Sequence, residues 1–191
     1  MSSTNRSNAR EKHVADYYVT PVEDIEIFLN ELIKIEPAIF SGNILDCCAG
    51  GDEQHLMSYP DALCTFYSKD IDTIDIREDS RAKIKNNYLQ VNCKNEYDVI
   101  ITNPPFNTAM EIINKAFCDI KDGGFVIMLL RLNFFESKAR LSFWQGNMPK
   151  YVYVNHKRMS FTDDGKTDSI AHAHFVWQKG YKTEFCRLKV I

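Results

Sequence analysis

The chain has 191 residues, 45% of them hydrophobic and 26% charged, with a formal net charge of -3. That is enough chain for one domain with its own core, and the composition is that of a globular protein rather than a disordered, collagenous or disulfide-framework chain. The small negative charge does not announce a polyanion binder, and no apolar run reaches the length of a membrane span.

Met1 to Asn8 is polar and lacks the apolar segment of a secretory signal, so residues 1–14 are expected to be a disordered tail ahead of a single domain over 15–191. Six cysteines, Cys47, Cys48, Cys64, Cys93, Cys118 and Cys186, form no Cys-x-x-Cys pair. They read as reduced core residues of a cytoplasmic protein. His172 and His174 sit two apart on a probable strand with no cysteine or histidine near them in sequence. They read as ordinary strand positions, and no metal site is expected.

In chain order, the first element follows Tyr17-Tyr18-Val19-Thr20-Pro21. Ile25, Phe28, Leu29, Leu32 and Ile33 recur at helical spacing, with Thr20 as the expected N-cap and Pro21 at the first helical position. Ile44-Leu45-Asp46 is a short apolar strand. The glycine-bearing turn Cys47-Cys48-Ala49-Gly50-Gly51-Asp52 follows it, then a helix over 53–59 broken by Pro60. Residues 62–67 are ambiguous between helix and strand. Asp70-Ile71-Asp72-Thr73-Ile74-Asp75-Ile76-Arg77 carries the acids of a second strand, and Asn86-Asn87-Tyr88-Leu89 follows.

Asp98-Val99-Ile100-Ile101-Thr102 is a buried strand run into Asn103-Pro104-Pro105-Phe106, where two prolines end the strand and stiffen the turn. Thr108 to Cys118 reads as a helix, Asp122-Gly123-Gly124 as a turn, Phe125 to Leu130 as a central strand and Glu136 to Trp144 as a helix. Tyr151–Val154 and His172–Trp177 read as an antiparallel hairpin around the polar loop Thr162–Ser169. The alternation of β and α elements predicts a mostly parallel α/β sheet with an antiparallel edge.

Charge is unevenly placed. From Ser137 to Thr162 there is no Asp or Glu, while Lys138, Arg140, Lys150, Lys157, Arg158 and His156 are present. A single-signed stretch inside an acidic chain suits a face that contacts phosphates, with Lys138, Arg140, Lys157 and Arg158 as the candidate nucleic-acid residues.

Asn103-Pro104-Pro105-Phe106 resembles the catalytic tetrapeptide of the S-adenosylmethionine-dependent amino-methyltransferases, which act on exocyclic amines such as that of adenine in DNA. The chemistry gives the motif a reason. An adenine amine is a poor nucleophile because its lone pair is delocalised into the ring. An amide oxygen from Asn103 and the Pro104 carbonyl would accept its two N–H groups and draw it toward a tetrahedral form. Pro105 would hold the carbonyl in one direction, and Phe106 would stack on the base.

The rest of the chain extends the resemblance, from Tyr18 to Trp177. Tyr18-Val19-Thr20-Pro21 resembles the segment that closes over the methionine end of the cofactor. Asp46-Cys47-Cys48-Ala49-Gly50-Gly51 resembles the first cofactor loop, implying contacts from Asp46, Cys47, Ala49, Gly50 and Gly51, although Asp52 stands where the commonest form has a glycine. Asp75, with Asp70 as the runner-up, fits the acid that accepts the ribose hydroxyls. Asn87-Tyr88 occupies the adenine-contact position, with an amide where the family has a carboxylate, and Asn103 adjoins the cofactor. Residues 158–177 resemble the C-terminal region of small phage and prophage adenine methyltransferases.

The resemblance implies a Rossmann-like seven-stranded methyltransferase sheet, S-adenosyl-L-methionine as cofactor, and methyl transfer to the adenine amine of flipped DNA bases. Cytosine or RNA amines, a protein glutamine amide, or a catalytically inactive methyltransferase-like binding subunit are the alternatives. A partner subunit for sequence recognition is a further expectation, because little chain remains beyond the sheet.

Overall fold

The structure, a computed structural model, describes residues 19–161, 167 and 169–191. Tyr18, the expected tail and most of the Thr162–Ser169 loop lie outside the described residues. The elements are α1 (Val22–Ile33), β1 (Ile44–Asp46), α2 (Ser58–Leu63), β2 (Asp72–Asp75), β3 (Ile84–Lys85), β4 (Tyr97–Thr102), α3 (Ala109–Asp119), β5 (Ile120–Arg131), α4 (Leu141–Gly146), β6 (Tyr151–Val154), β7 (His172–Gln178) and β8 (Arg187–Val190).

The strands form one sheet in the order β3-β2-β1-β4-β5-β7-β6-β8. Pairing is parallel from β3 through β5, while β7 runs antiparallel to both β5 and β6. Strand alternation explains the three layers, because the runs 99–101 of β4 and 125–130 of β5 are apolar at every position and so bury both faces. Val99, Ile101, Phe125, Ile127 and Leu129 pack on one side with Ile25, Phe28, Leu29 and Leu32 of α1. Ile100, Val126, Met128 and Leu130 pack on the other with Ile112, Ile113 and Ala116 of α3 and with Phe143 and Trp144 of α4.

Several expectations change. The sheet has eight strands where seven were expected, and β8 pairs parallel to β6 at the edge. All four of its residues are exposed, so it carries no one-sided burial pattern for a sequence reading to detect. The expected turn at Asp122-Gly123-Gly124 lies inside β5 as an irregularity. Tyr97 pairs with Ile120 but Val99 already pairs with Phe125, and the extra residues are absorbed at Gly123, whose φ is 80°.

Pro60 does not break a helix; it sits in the first turn of α2, where its missing N–H costs nothing. The N-cap of α1 is Pro21 rather than Thr20, with no side-chain cap. Cys47 and Cys93 are buried, but Cys64 and Cys118 are exposed, so the six free cysteines are not uniformly core residues. Among the described residues no helix is long and apolar enough to cross a membrane.

Candidate active site

The strand order reverses between β1 and β4, and the carboxyl ends of those strands open into a cleft, where open α/β sheets take their ligands. The cleft has about 150 Å³ of internal volume. Its wall includes Thr20, Cys47, Ala49, Gly50, Asp75, Asn87, Asn103, Pro104 and Pro105. Nine sequence candidates from five separate segments thus share one cavity. Pro21, Asp46, Gly51 and Phe106 are not in its wall.

The loop after β1 turns on two glycines, Gly50 at φ 65° and Gly51 at φ 72°. A Cβ on Gly51 would also meet Met57 Cγ at 2.8 Å, so both backbone angle and space call for glycine. The loop is tied to β2. Asp75 Oδ2 accepts from Gly50 N at 2.7 Å and its Oδ1 from Arg77 N at 2.8 Å. Ala49 N donates to Ile74 O at 2.9 Å, and Ser80 Oγ donates to Gly50 O. Of the two acids left open by the sequence, Asp75 stands in the cleft, while Asp70 is on the surface, paired with Lys83 at 2.6 Å. Asp52 accounts for the missing third glycine: its Oδ1 accepts from Gln54 N and His55 N, both at 2.8 Å, and closes a turn.

Asp46, expected to contact a ligand, lies beneath the loop instead. It is 1% exposed, accepting from Thr102 Oγ1 at 2.6 Å and Cys48 N at 3.2 Å, and so ties β1 to β4. Burial pushes its carboxyl up to about 7, against the two hydrogen bonds that lower it. On the far wall, the Tyr59 hydroxyl is 3.1 Å from Nε2 of His174, whose ring stacks on Phe28 at 3.9 Å. Burial, with the neighbouring His172 second, brings His174 down to about 3. His172 and His174, read from sequence as ordinary strand positions, are 1% and 0% exposed.

These two groups act oppositely on stability. The neutral Asp46 contributes stability that is complete below about pH 4 and lost as pH rises through about 7. The neutral His174 contributes stability that is complete above about 6.5 and lost as pH falls toward 3. Their slopes oppose between roughly pH 4 and 6.5. Asp46→Asn removes the first slope. The stability of the variant relative to wild type should therefore grow from pH 4 to 7 and then level off, as read by urea unfolding across that range; a pH-independent difference would show that Asp46 ionises normally.

Asn103 leaves the end of β4. Its Nδ2 donates to Thr20 Oγ1 at 3.0 Å, and Thr20 is 2% exposed. That bond turns the amide so that Oδ1 faces the other way. Oδ1 is buried and has no hydrogen-bond partner among the described residues. Such an atom is costly unless a ligand completes it. Asn87 also lines the cleft, but its Oδ1 already accepts from Leu89 N at 3.0 Å, capping the short helical turn Tyr88–Gln90.

Phe106 sits just outside the cleft. The Arg131 guanidinium carbon lies 4.2 Å from its ring centroid, and the His172 ring lies 5.7 Å away. Phe161 in turn packs on His172 at 4.8 Å. The sequence did not single out Arg131, Tyr59, Ile76, Arg77 or Leu89. Ile76 and Leu89 flank positions that were flagged, so adjacency was the available signal. Arg131 and Tyr59 carried none.

The basic stretch divides. Lys150 pairs with Glu36 and also donates to Gln178 at 2.8 Å, so it is part of the scaffold. The Arg140 guanidinium lies over Phe134 at 4.3 Å and donates to Glu136 O at 2.7 Å. Lys138, Lys157 and Arg158 are exposed. All these residues except Lys150 follow the carboxyl ends of β5 or β6. Those strands run the same way as β4, so the residues leave the sheet on the edge that carries Asn103.

No family model and no curated protein matches the chain. Solved structures do. A protein assigned as a class I S-adenosylmethionine-dependent methyltransferase from Listeria monocytogenes superposes with a TM-score of 0.64 at 14% identity, over 94% of this chain and 67% of that one. A protein assigned as the modification subunit of a type I restriction enzyme from Vibrio vulnificus gives 0.63 at 13%, over 92% of this chain but only 47% of its own. One assigned as an RNA methyltransferase from Pyrococcus horikoshii gives 0.62 at 18%, over 86% and 88%. The fold is the Rossmann-like methyltransferase fold. The chain spans about half the length of the Vibrio subunit.

Proposed function

We propose that this protein transfers a methyl group from S-adenosylmethionine to the exocyclic amine of adenine in DNA. The observation that carries the reading is Asn103 Oδ1, a buried acceptor without a partner among the described residues, on the wall of a cleft that also holds Asp75 and the glycine loop. The residues present fit the cofactor. Asp75 would take the ribose hydroxyls on the lone pairs left after Gly50 N and Arg77 N. Ile76 and Leu89 offer apolar faces to its adenine, and Gly50 leaves the backbone open to close approach. When bound, the cofactor supplies an electrophilic methyl on a sulfonium, which needs no acid.

The chain's own contribution is positioning and fixed dipoles. Thr20 holds the Asn103 amide so that its oxygen accepts from the target amine. The Pro104 carbonyl is the second acceptor, and Pro105 restricts its direction. The base has to leave a duplex to reach this edge, so flipping is implied. Lys138, Arg140, Lys157 and Arg158 lie on the same edge and supply charge for phosphates.

The test is labelled methyl transfer to DNA, RNA and a glutamine-containing protein in parallel, with calorimetry for the cofactor. Label on the adenine amine of DNA is expected. Transfer to the protein alone would assign the same acceptors to an amide substrate, and no cofactor binding would leave a binding subunit.

A further inference from the structure

We propose that the adjacent thiols of Cys47 and Cys48 form a dithiol site in the cleft wall that chelates a trivalent arsenical and thereby shuts out the cofactor; the exclusion of cofactor rests on the methyl-transfer reading above. Cys47 and Cys48 are the only cysteines in the chain that are neighbours in sequence. Neighbours on a strand point to opposite faces, but β1 ends at Asp46 and these two lie in the turn that follows it. Both line the cleft. Both also pack on the α3 side of the sheet, Cys47 inside the buried cluster that holds Ile100, Ile112 and Val126, and Cys48 against it. The turn therefore sets two free thiols on one side of the sheet, at the start of the glycine loop.

The pair selects the ligand. An organoarsenic oxide condenses with two S–H groups. Two As–S bonds form, the As=O bond breaks, and its oxygen leaves as water with both thiol protons. Arsenic stays trivalent, so the step needs neither oxidant nor reductant. Cys48 is partly exposed and takes the arsenic first; Cys47, 1% exposed, closes the chelate. Burial pushes the Cys47 thiol well above its ordinary value, with the Cys48 thiol beside it as the second cause. A thiol held protonated is slow toward reagents that need the thiolate, whereas the condensation carries the proton away. The second As–S bond closes within one molecule and gains from the effective concentration of its partner, which a lone thiol cannot supply. The cleft has about 150 Å³ of internal volume, a space that one ligand fills. An aryl group on the arsenic takes the same apolar wall, including Leu89, that faces the cofactor's adenine.

The experiment titrates the full chain with phenylarsine oxide, with and without S-adenosylmethionine, and reads bound arsenic by intact mass and free thiols with a thiol-reactive dye. Wild type is expected to take up one arsenical and lose two thiols, and dimercaptopropanol should reverse both. Cys48→Ser should weaken the arsenical by about a hundredfold or more, because only one As–S bond remains. Cys48→Ala repeats the test without a hydroxyl, and thermal midpoints establish that each variant is folded. Cys118→Ser, on an exposed position of α3, is the control and should leave the arsenical affinity unchanged. Cofactor at about 100 times its Kd, with that Kd from calorimetry, should raise the apparent Kd of the arsenical about a hundredfold. A folded Cys48 variant that binds the arsenical as wild type does overturns the inference. So does a wild type whose bound cofactor gives no protection; both outcomes leave methyl transfer standing. Arsenical uptake at the pair with no cofactor binding at all overturns the exclusion and the methyl-transfer reading together.

Discussion

Asn103→Ala is expected to lower kcat for methyl transfer by roughly a thousandfold while leaving cofactor affinity within a few-fold of wild type. The size follows from what the substitution removes. The amine has no general base at hand in the acceptor pair, and its nucleophilicity depends on two oxygens already aimed before reaction. Loss of one preorganised hydrogen-bonding group in an enclosed site typically costs about 10²–10³ in rate, or about 3–4 kcal/mol of barrier. The geometry separates this from simple misfolding, because among the described residues the Asn103 side chain bonds to Thr20 and belongs to neither core cluster. Thr20→Val tests the same chain of cause one step back. The oxygen remains but its direction is no longer held, so kcat should fall by a smaller factor, roughly tenfold, with binding little changed. Single-turnover methylation with saturating cofactor measures both. Wild-type rates in Asn103→Ala would remove the catalytic assignment.

Asp75→Ala is expected to lower affinity for S-adenosylmethionine by roughly a hundredfold or more. Two effects combine. The carboxylate offered to the ribose hydroxyls is gone, and the N–H groups of Gly50 and Arg77 lose their acceptor. An unsatisfied buried donor costs about 1–3 kcal/mol, so the glycine loop should loosen even before any ligand is considered. Calorimetry with the cofactor reads the first effect, and the thermal midpoint of the free protein reads the second. Asp70→Ala is the control. Its side chain is on the surface with Lys83, so neither quantity should move appreciably. If Asp75→Ala binds the cofactor normally, the cleft takes its ligand some other way.

The sheet was legible because its central strands are nearly continuous runs of β-branched and aliphatic residues, and because α1 and α3 show apolar residues three and four apart. Those signals are local. The Asn-Pro-Pro-Phe turn was legible for the same reason: two prolines end a strand wherever they occur. What stayed hidden was long-range or two-sided. β8 carries no burial pattern, and Arg131 resembles any polar residue at a strand end until Phe106 is brought over it from 25 residues away in the chain. Asp46 and Asp75 look alike in sequence, each an acid that ends a short strand. Only the packing of β1 against β4 turns one beneath the loop to Thr102, while the other faces the cleft with its oxygens on Gly50 and Arg77.

The sequence by itself determined the central strands, the helices α1 and α3, the glycine turn after β1 and the stiff turn after β4, since periodicity, glycine angles and proline geometry act within a few residues. Only the tertiary structure decided which oxygen of which residue faces the cleft. The bond between Asn103 Nδ2 and Thr20 Oγ1 joins positions 83 residues apart, and no local rule can specify the direction of an amide whose partner arrives from another element.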